Sequence, residues 1–204
     1  MQLYWHRRTL QPSPNPALST AFTAAKRDNS CVVPVFVLDD AILSLADGLG
    51  VAFMLGSLHE LRDWYRGHGG DIVIQRGDPT DVVDRLARTL GVERVVWNED
   101  YSQLARGRDR AVQRALTRTG VAYTSVPNDQ PTEMKSATTL PSNPEAYLAT
   151  PHALDIETEA VPRLSELSEG EYDSAPLTAG TESARKRLRS LSNGTTYRRC
   201  DDTG

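Results

Sequence analysis

The sequence predicts an α/β protein built on one parallel sheet, and three of its features do so. Five short runs, at residues 3–6, 31–38, 71–75, 94–97 and 121–126, are rich in β-branched and aromatic side chains and too brief to be helices. They read as largely continuous apolar stretches, the mark of strands covered on both faces. Four stretches with apolar residues at helical spacing fall between them, joined by short loops. Strand–helix alternation of this kind closes as a parallel sheet with right-handed crossovers.

Taken in order, Leu3-Tyr4-Trp5-His6 forms the first strand and leads into the polar turn Arg7-Arg8-Thr9. Prolines at 12, 14 and 16 make residues 11–16 a loop, and a helix is expected over 17–27. The second strand, 31–38, ends in Asp39-Asp40. Pro34 in its middle ordinarily marks an edge or a bulge, so its ladder is expected to be interrupted. Residues 51–66 place Phe53, Met54, Leu55, Leu58, Leu61, Trp64 and Tyr65 at helical spacing, and the glycines of 67–70 stop that helix. The strand 71–75 is followed by the turn Gly77-Asp78-Pro79 and a helix over 80–89. The run 94–97 then turns polar at Asn98, and Ser102 is placed to N-cap a helix reaching about Arg118. A fifth strand, 121–126, follows Gly120.

Beyond Val126 the chain turns to Pro, Ser/Thr and acidic residues with few apolar anchors. Residues 127–179 are therefore expected to be a loosely attached, largely irregular linker, with short helical pieces near 146–148 and 164–167. Residues 180–191 read as an isolated helix N-capped by Thr181, and the stretch 180–204 carries the basic cluster Arg185, Lys186, Arg187, Arg189, Arg198 and Arg199.

Composition is that of an ordinary globular protein, with 39% hydrophobic and 25% charged residues. The net charge of −4 is uneven: residues 1–127 hold 15 basic and 14 acidic side chains, residues 128–204 hold 8 and 13. No apolar run approaches the roughly 18 residues of a membrane span. The first residues place their arginines after the apolar ones, the reverse of a secretion signal. Cys31 and Cys200 have no paired spacing, and His6, His59, His68 and His152 no metal-like spacing. A reducing, cytoplasmic setting without membrane or metal partners is expected.

No G-x-G-x-x-G, Walker loop or G-x-S-x-G elbow is present. The candidate binding residues are the polar groups at strand ends: His6 with Arg7 and Arg8, Asp39 beside Asp40, and Asn98, Glu99 and Asp100. In doubly wound sheets the crevice lies where strand order reverses, commonly between the first and fourth strands. The same residues could equally serve as caps of turns and helices. Arg106, Arg110, Arg114 and Arg118 recur every fourth residue and would line one helix face, either a phosphate-binding stripe or a solvated surface interrupted by Asp109. Trp5 and Trp97 read as core packing rather than as redox groups.

These residues resemble a known family. Leu3-Tyr4-Trp5-His6-Arg7-Arg8-Thr9-Leu10 with Asn15-Pro16-Ala17-Leu18 is similar to the opening "W-F-R-R-D-L-R … D-N-x-A-L" of DNA photolyases and cryptochromes. The likeness continues through Val33-Pro34-Val35-Phe36-Val37-Leu38-Asp39, Phe53-Met54-Leu55-Gly56-Ser57-Leu58, Gly77-Asp78-Pro79, and Trp97-Asn98-Glu99-Asp100-Tyr101 ahead of Arg108-Asp109. It covers roughly residues 1–126. The resemblance implies a Rossmann-like five-stranded sheet ordered 3-2-1-4-5, with Trp5 and Trp97 on adjacent strands. It further implies an antenna chromophore, a folate or a deazaflavin, held near His6, Arg7, Arg8, Asp39, Asn98, Glu99 and Asp100.

Two departures from the family pattern stand out: Arg8-Thr9-Leu10-Gln11 lacks the charged pair of R-D-L-R, and Pro14 replaces the Asp of the D-N element. The family's FAD-binding helical domain would begin after 180–199, which is similar to its lead-in "G-E-x-x-A-x-x-x-L … Y-x-x-x-R-D". The expectation is an antenna-type domain, 1–126, with a degenerate connector. It neither retains FAD nor repairs DNA by itself, could work with a separately encoded flavin-domain partner, and touches DNA weakly through its basic residues. A non-functional remnant of a truncated photolyase gene and a generic nucleotide-binding α/β module remain open.

Overall fold

The computed structural model describes residues 1–46, 48–127 and 140–167. The helix expected over 180–191, the basic residues after it and Cys200 lie outside the described residues. In chain order the elements are β1 (Gln2–His6), α1 (Pro16–Arg27), β2 (Val32–Leu38), α2 (Asp40–Leu43), α3 (Gly48–Gly67), β3 (Val73–Arg76), α4 (Pro79–Thr89), β4 (Arg94–Asn98), α5 (Gln103–Thr119) and β5 (Ala122–Val126). Short 3-10 turns at Pro144–Tyr147 and His152–Leu154 and the one-turn α6 (Leu164–Leu167) follow.

The five strands form one parallel sheet in the order β3-β2-β1-β4-β5, as the resemblance implied. Strand pleating sends Tyr4 into a core with α1 and α3, while Leu3 and Trp5 enter the opposite core with α4 and α5. Covering both faces is what makes the strands continuously apolar. Trp5 and Trp97 meet edge-on across the β1–β4 pair, ring centroids 5.9 Å apart. Such a pair contributes about 0.5–1.5 kcal/mol beyond its burial.

Local chemistry sets the helix boundaries. Asn15 caps α1 by accepting from the N–H of Leu18, and Pro16 sits at the first helical position, where its missing N–H costs nothing. Asp78-Pro79 repeats the device at α4. Ser102 caps α5, which ends at Gly120 in the left-handed conformation, φ 77°. The unexpected α2 is four residues long, too short for any periodicity to announce, and is started by Asp39 accepting from the N–H of Ala41.

Pro34 occupies a central strand without breaking it. On the β3 side of β2, the carbonyl of Val32 accepts from Ala149 and that of Leu38 from Gly77. Backbone alternation puts Pro34 on that same side, and the β2–β3 ladder begins only at Val35 opposite Val73. Its missing donor therefore falls where no strand is paired.

The expectation of a loosely attached segment after Val126 is overturned for residues 140–167. Leu148 bridges in parallel to Val32, and Ala149 and Val161 are buried. Thr158 Oγ1 accepts from Ile74 N and donates to Ile72 O, and Glu159 N donates to Ile74 O, so the outer edge of β3 is closed by backbone and side chain together. Arg62, 7% exposed, bonds both oxygens of Asp71 and donates to the carbonyl of Glu159. Composition misleads here because the scattered apolar residues of the segment, Tyr147, Leu148, Ile156, Val161 and Leu164 among them, pack onto the two cores, and the polar anchors at β3 hold the stretch between them.

Arg62→Ala should loosen that segment specifically. Losing a charge-assisted bond of about 1.5–3 kcal/mol should speed protease cleavage within residues 155–163 by roughly tenfold or more, with the sheet amides still protected from hydrogen exchange. Cleavage at the wild-type rate would show that Thr158 and Leu148 hold the segment without Arg62.

Candidate functional site

A cleft of about 950 Å³ opens at the carboxyl ends of β1 and β2, beside the start of α4 at Pro79, at the upper end of the range for small-molecule sites. One wall is the loop after β1, from Arg7 to Pro14; the other is α2 and the first turns of α3. Phe36, Leu38, Ile42, Leu43, Phe53 and Met54 make it largely apolar, and Phe53 remains 51% exposed at its mouth.

Charged groups meet this apolar surface at one end. Arg7, 8% exposed, bonds Asp109 of α5 at 2.9 Å and the carbonyl of Asn98 at 3.3 Å. Its guanidinium stands 5.1 Å from the centre of the Trp5 ring, and that of Arg108 5.4 Å from it. Burial pushes the Asp109 carboxyl up, against the pull of Arg7, and pushes the Arg7 guanidinium down. Arg108 faces Asp39 at 3.5 Å. Arg7 Nε and Nη2 and Arg108 Nε are buried and have no hydrogen-bond partner, although both residues line the cleft. The two guanidinium groups at the end of an apolar cavity are suited to the polar edge or anionic group of a ligand.

His6 lies at the bottom of the cleft, with Nδ1 3.2 Å from the carbonyl of Thr9 and Nε2 2.7 Å from the Tyr65 hydroxyl. A carbonyl only accepts, so Nδ1 carries the proton and the Tyr65 hydroxyl donates to Nε2. Burial holds the imidazole neutral, lowering its pKa to about 3.

Of the residues singled out in the sequence, His6, Arg7, Arg8 and Asp39 line the cleft, whereas Asn98, Glu99 and Asp100 do not. Asn98 Nδ2 donates to the Tyr4 hydroxyl and to Asn15 Oδ1, and its Oδ1 accepts from the N–H of Ala17. This cluster occupies the β1–β4 gap where a crevice is expected from strand order, because the start of α1 is docked into it. Asp100 caps Ser102 and lies 3.5 Å from the largely exposed Arg8. Burial works to raise its pKa, but the Ser102 N–H and the Arg8 and Arg7 charges bring it below the ordinary carboxylate value. Glu99 accepts from the Ser125 hydroxyl. Sequence reading missed Arg108, Asp109 and the apolar wall. Arg108-Asp109 was visible as a pair, but only the packing of α5 shows that one faces the cleft and the other holds Arg7. Among the described residues there is no metal-ligating cluster, and no helix is long and apolar enough to cross a membrane.

Comparison with known proteins gives a consistent result. The family model for DNA photolyase matches residues 2–148. A deoxyribodipyrimidine photo-lyase from Halobacterium salinarum is 35% identical over 92% of this chain and 45% of its own length. Chicken cryptochrome-2 is 30% identical over 58% of this chain and 20% of its own. The chain thus spans less than half of these curated relatives. Among solved structures, an archaeal photolyase from Sulfolobus tokodaii, described with two FAD molecules and as implying a novel light-harvesting cofactor, superposes with a TM-score of 0.70 at 21% identity, covering 98% of this chain and 46% of that one. A Synechocystis cryptochrome gives 0.71 at 15% identity over 93% and 45%.

The neutral His6 makes stability depend on pH in a defined window. Its folded pKa, about 3, lies below the unfolded value near 6.5, so the unfolded chain binds the extra proton between those limits. Stability carried by the neutral ring is complete above pH 6.5 and falls as pH drops, by about 2–3 kcal/mol at pH 4.5. Urea midpoints at pH 7 and 4.5 should show His6→Gln losing less over that interval than the wild type. Equal losses would remove His6 as the cause.

Proposed function

Because this chain belongs to the DNA photolyase family, we propose that its α/β domain is an antenna domain, holding a light-harvesting chromophore of the folate or deazaflavin class in the cleft over β1 and β2. The observation that carries this reading is the pair of guanidinium groups, Arg7 and Arg108, lining one end of a largely apolar cleft of about 950 Å³. Such a chromophore is a flat conjugated ring with polar edges, and the two surfaces answer its two sides.

The walls from Phe36, Ile42, Phe53 and Met54 would cover the ring and exclude water, while Arg7 and Arg108 would bond its polar edge. Asp39 orients Arg108, and Asp109 with the Asn98 carbonyl orients Arg7. Asp100 restrains Arg8 at the rim. Glu99 acts further back, through the end of β5. His6, with both ring nitrogens engaged, contributes shape and a neutral floor rather than a proton. When bound, the chromophore absorbs light and passes the excitation on. The free thiol of Cys31 suits the reducing, cytoplasmic setting expected from the sequence.

Dimer repair and retention of catalytic FAD are assigned to other parts of such photolyases. Repair needs a flavin within electron-transfer reach of an extruded base, held in a pocket that reads it. A flavin-bearing domain, in the same or a separate polypeptide, would receive the excitation, and basic residues 185–199 would add only weak, salt-sensitive DNA contact.

The test is equilibrium dialysis of the purified chain against a reduced folate, a deazaflavin and FAD, followed by absorption spectra. One of the first two should be retained at about one equivalent, and Arg108→Ala with Phe53→Ala should release it at least tenfold more readily. Preferential retention of FAD, or of none of the three, would overturn the assignment. Illumination of the chain with added FAD and dimer-containing DNA should leave dimer levels at the no-protein control.

A further inference from the structure

We propose that α5 and the edge strand β5 form a second binding surface, separate from the cleft, for the backbone of single-stranded nucleic acid. The groove there, about 500 Å³, is lined by Arg110, Gln113, Arg114, Thr117, Arg118 and Tyr123.

The arginines of this face differ from the others of the domain. Arg7, Arg8, Arg27, Arg62, Arg66, Arg76, Arg88 and Arg108 are all ion-paired, and Arg85 and Arg94 bond Gln75 and Thr124. Up to Val126, the arginines without a side-chain partner among the described residues are Arg106, Arg110, Arg114 and Arg118, and all are exposed. They follow one another about 6 Å apart along the helix axis, in a row of about 18 Å that winds about a third of a turn, with Arg106 beyond the groove.

This arrangement works against the helix that carries it. Like charges at i,i+4 each cost about 0.2–0.5 kcal/mol. Arg106 lies in the first turn, where the helix dipole favours an acid, and that turn has none. The one carboxylate of α5, Asp109, is turned inward to Arg7 and does not offset the row. A chain that pairs its other arginines and leaves one row open presents that row to an external polyanion.

The aromatic neighbour narrows the class of polyanion. Tyr123 is 40% exposed beside this row, and its ring stacks on the buried Trp97 at 5.8 Å and 27°. Trp97 is fixed in the core, so the tyrosine is held as a platform rather than free to swing. A basic track beside a fixed aromatic ring is the arrangement that binds single strands, with phosphates on the arginines and a base on the ring. An acidic peptide would use the charges but leave the ring without a role.

The cleft is walled by α2 and α3 and the groove by α5 and β5; Arg108 faces the first and Arg110, Arg114 and Arg118 the second, so failure of one assignment leaves the other standing. The experiment is fluorescence anisotropy of a labelled oligothymidylate of ~12 nucleotides, within the size range of single-strand sites, with the full chain across a salt series. Neutralising about four phosphates predicts a log–log salt slope near −2.8, or ~50-fold weaker binding from 50 to 200 mM salt. The triple variant Arg110→Gln, Arg114→Gln, Arg118→Gln should bring the slope to about −0.7 while chromophore retention stays unchanged and the melting temperature holds or rises slightly as the like-charge repulsion is removed. Tyr123→Leu should weaken binding about tenfold with the slope intact. Arg185→Gln, Lys186→Gln, Arg187→Gln should weaken binding far less than the α5 triple variant, since that stretch adds only weak contact. No binding at 50 mM salt, a wild-type slope in the α5 triple variant, loss of binding in the 185–187 variant instead, tighter binding of the matching duplex, or displacement by polyglutamate at equal charge would each overturn the proposal.

Discussion

Asn98 reaches from the end of β4 to the Tyr4 hydroxyl on β1, to Asn15 in the loop beyond it, and to the N–H of Ala17 at the start of α1. Both donors of its amide and the amide oxygen are engaged, in a site shielded from water, where an orphaned polar group costs about 1–3 kcal/mol. The two central strands and the first helix are thereby locked at one point. The remaining geometry at this end of the sheet follows from that lock. Asn15 Nδ2 holds the carbonyl of Gln11, which shapes the loop forming one wall of the cleft, and the backbone oxygen of Asn98 holds Arg7. The cleft lies over β1 and β2 because the position between β1 and β4 is already filled.

The same end of the molecule shows two uses of positive charge. Arg7 and Asp109 form a nearly buried pair, with side chains 3% and 12% exposed. Removing either partner of such a pair costs about 3–5 kcal/mol, because the other charge is left in a medium that cannot solvate it. That pair fixes the rotation of α5 about its axis, with Asp109 and Val112 turned inward. Once that rotation is set, Arg108 is carried to the cleft and Arg110, Arg114 and Arg118 to the opposite groove. One buried ion pair thus distributes the arginines of a single helix between two surfaces.

Much of the fold was legible in the sequence because its signals are local. Strand runs such as Val32–Leu38 announce themselves by continuous apolar content, and α1, α4 and α5 by Asn15-Pro16, Asp78-Pro79 and Ser102, whose capping chemistry acts within a few residues. The strand order was legible only through family likeness, since pairing of β1 with both β2 and β4 joins residues far apart in the chain. The segment 140–167 was misread because Thr158 and Arg62 bond groups on distant elements, and composition carries no record of such partners.

For the site, sequence alone determined which residues are polar at strand ends and which arginines share a helix face, since both follow from the periods of strand and helix. Tertiary structure alone decided what those residues face. Asn98 and Asp39 both close strands in polar surroundings, yet one is buried in a clamp and the other lines a cavity. Adjacent Arg108 and Asp109 point to a cleft and to a buried partner. The reason is physical: a strand or helix period sets direction relative to its own axis, whereas the neighbours in that direction depend on how separate elements pack.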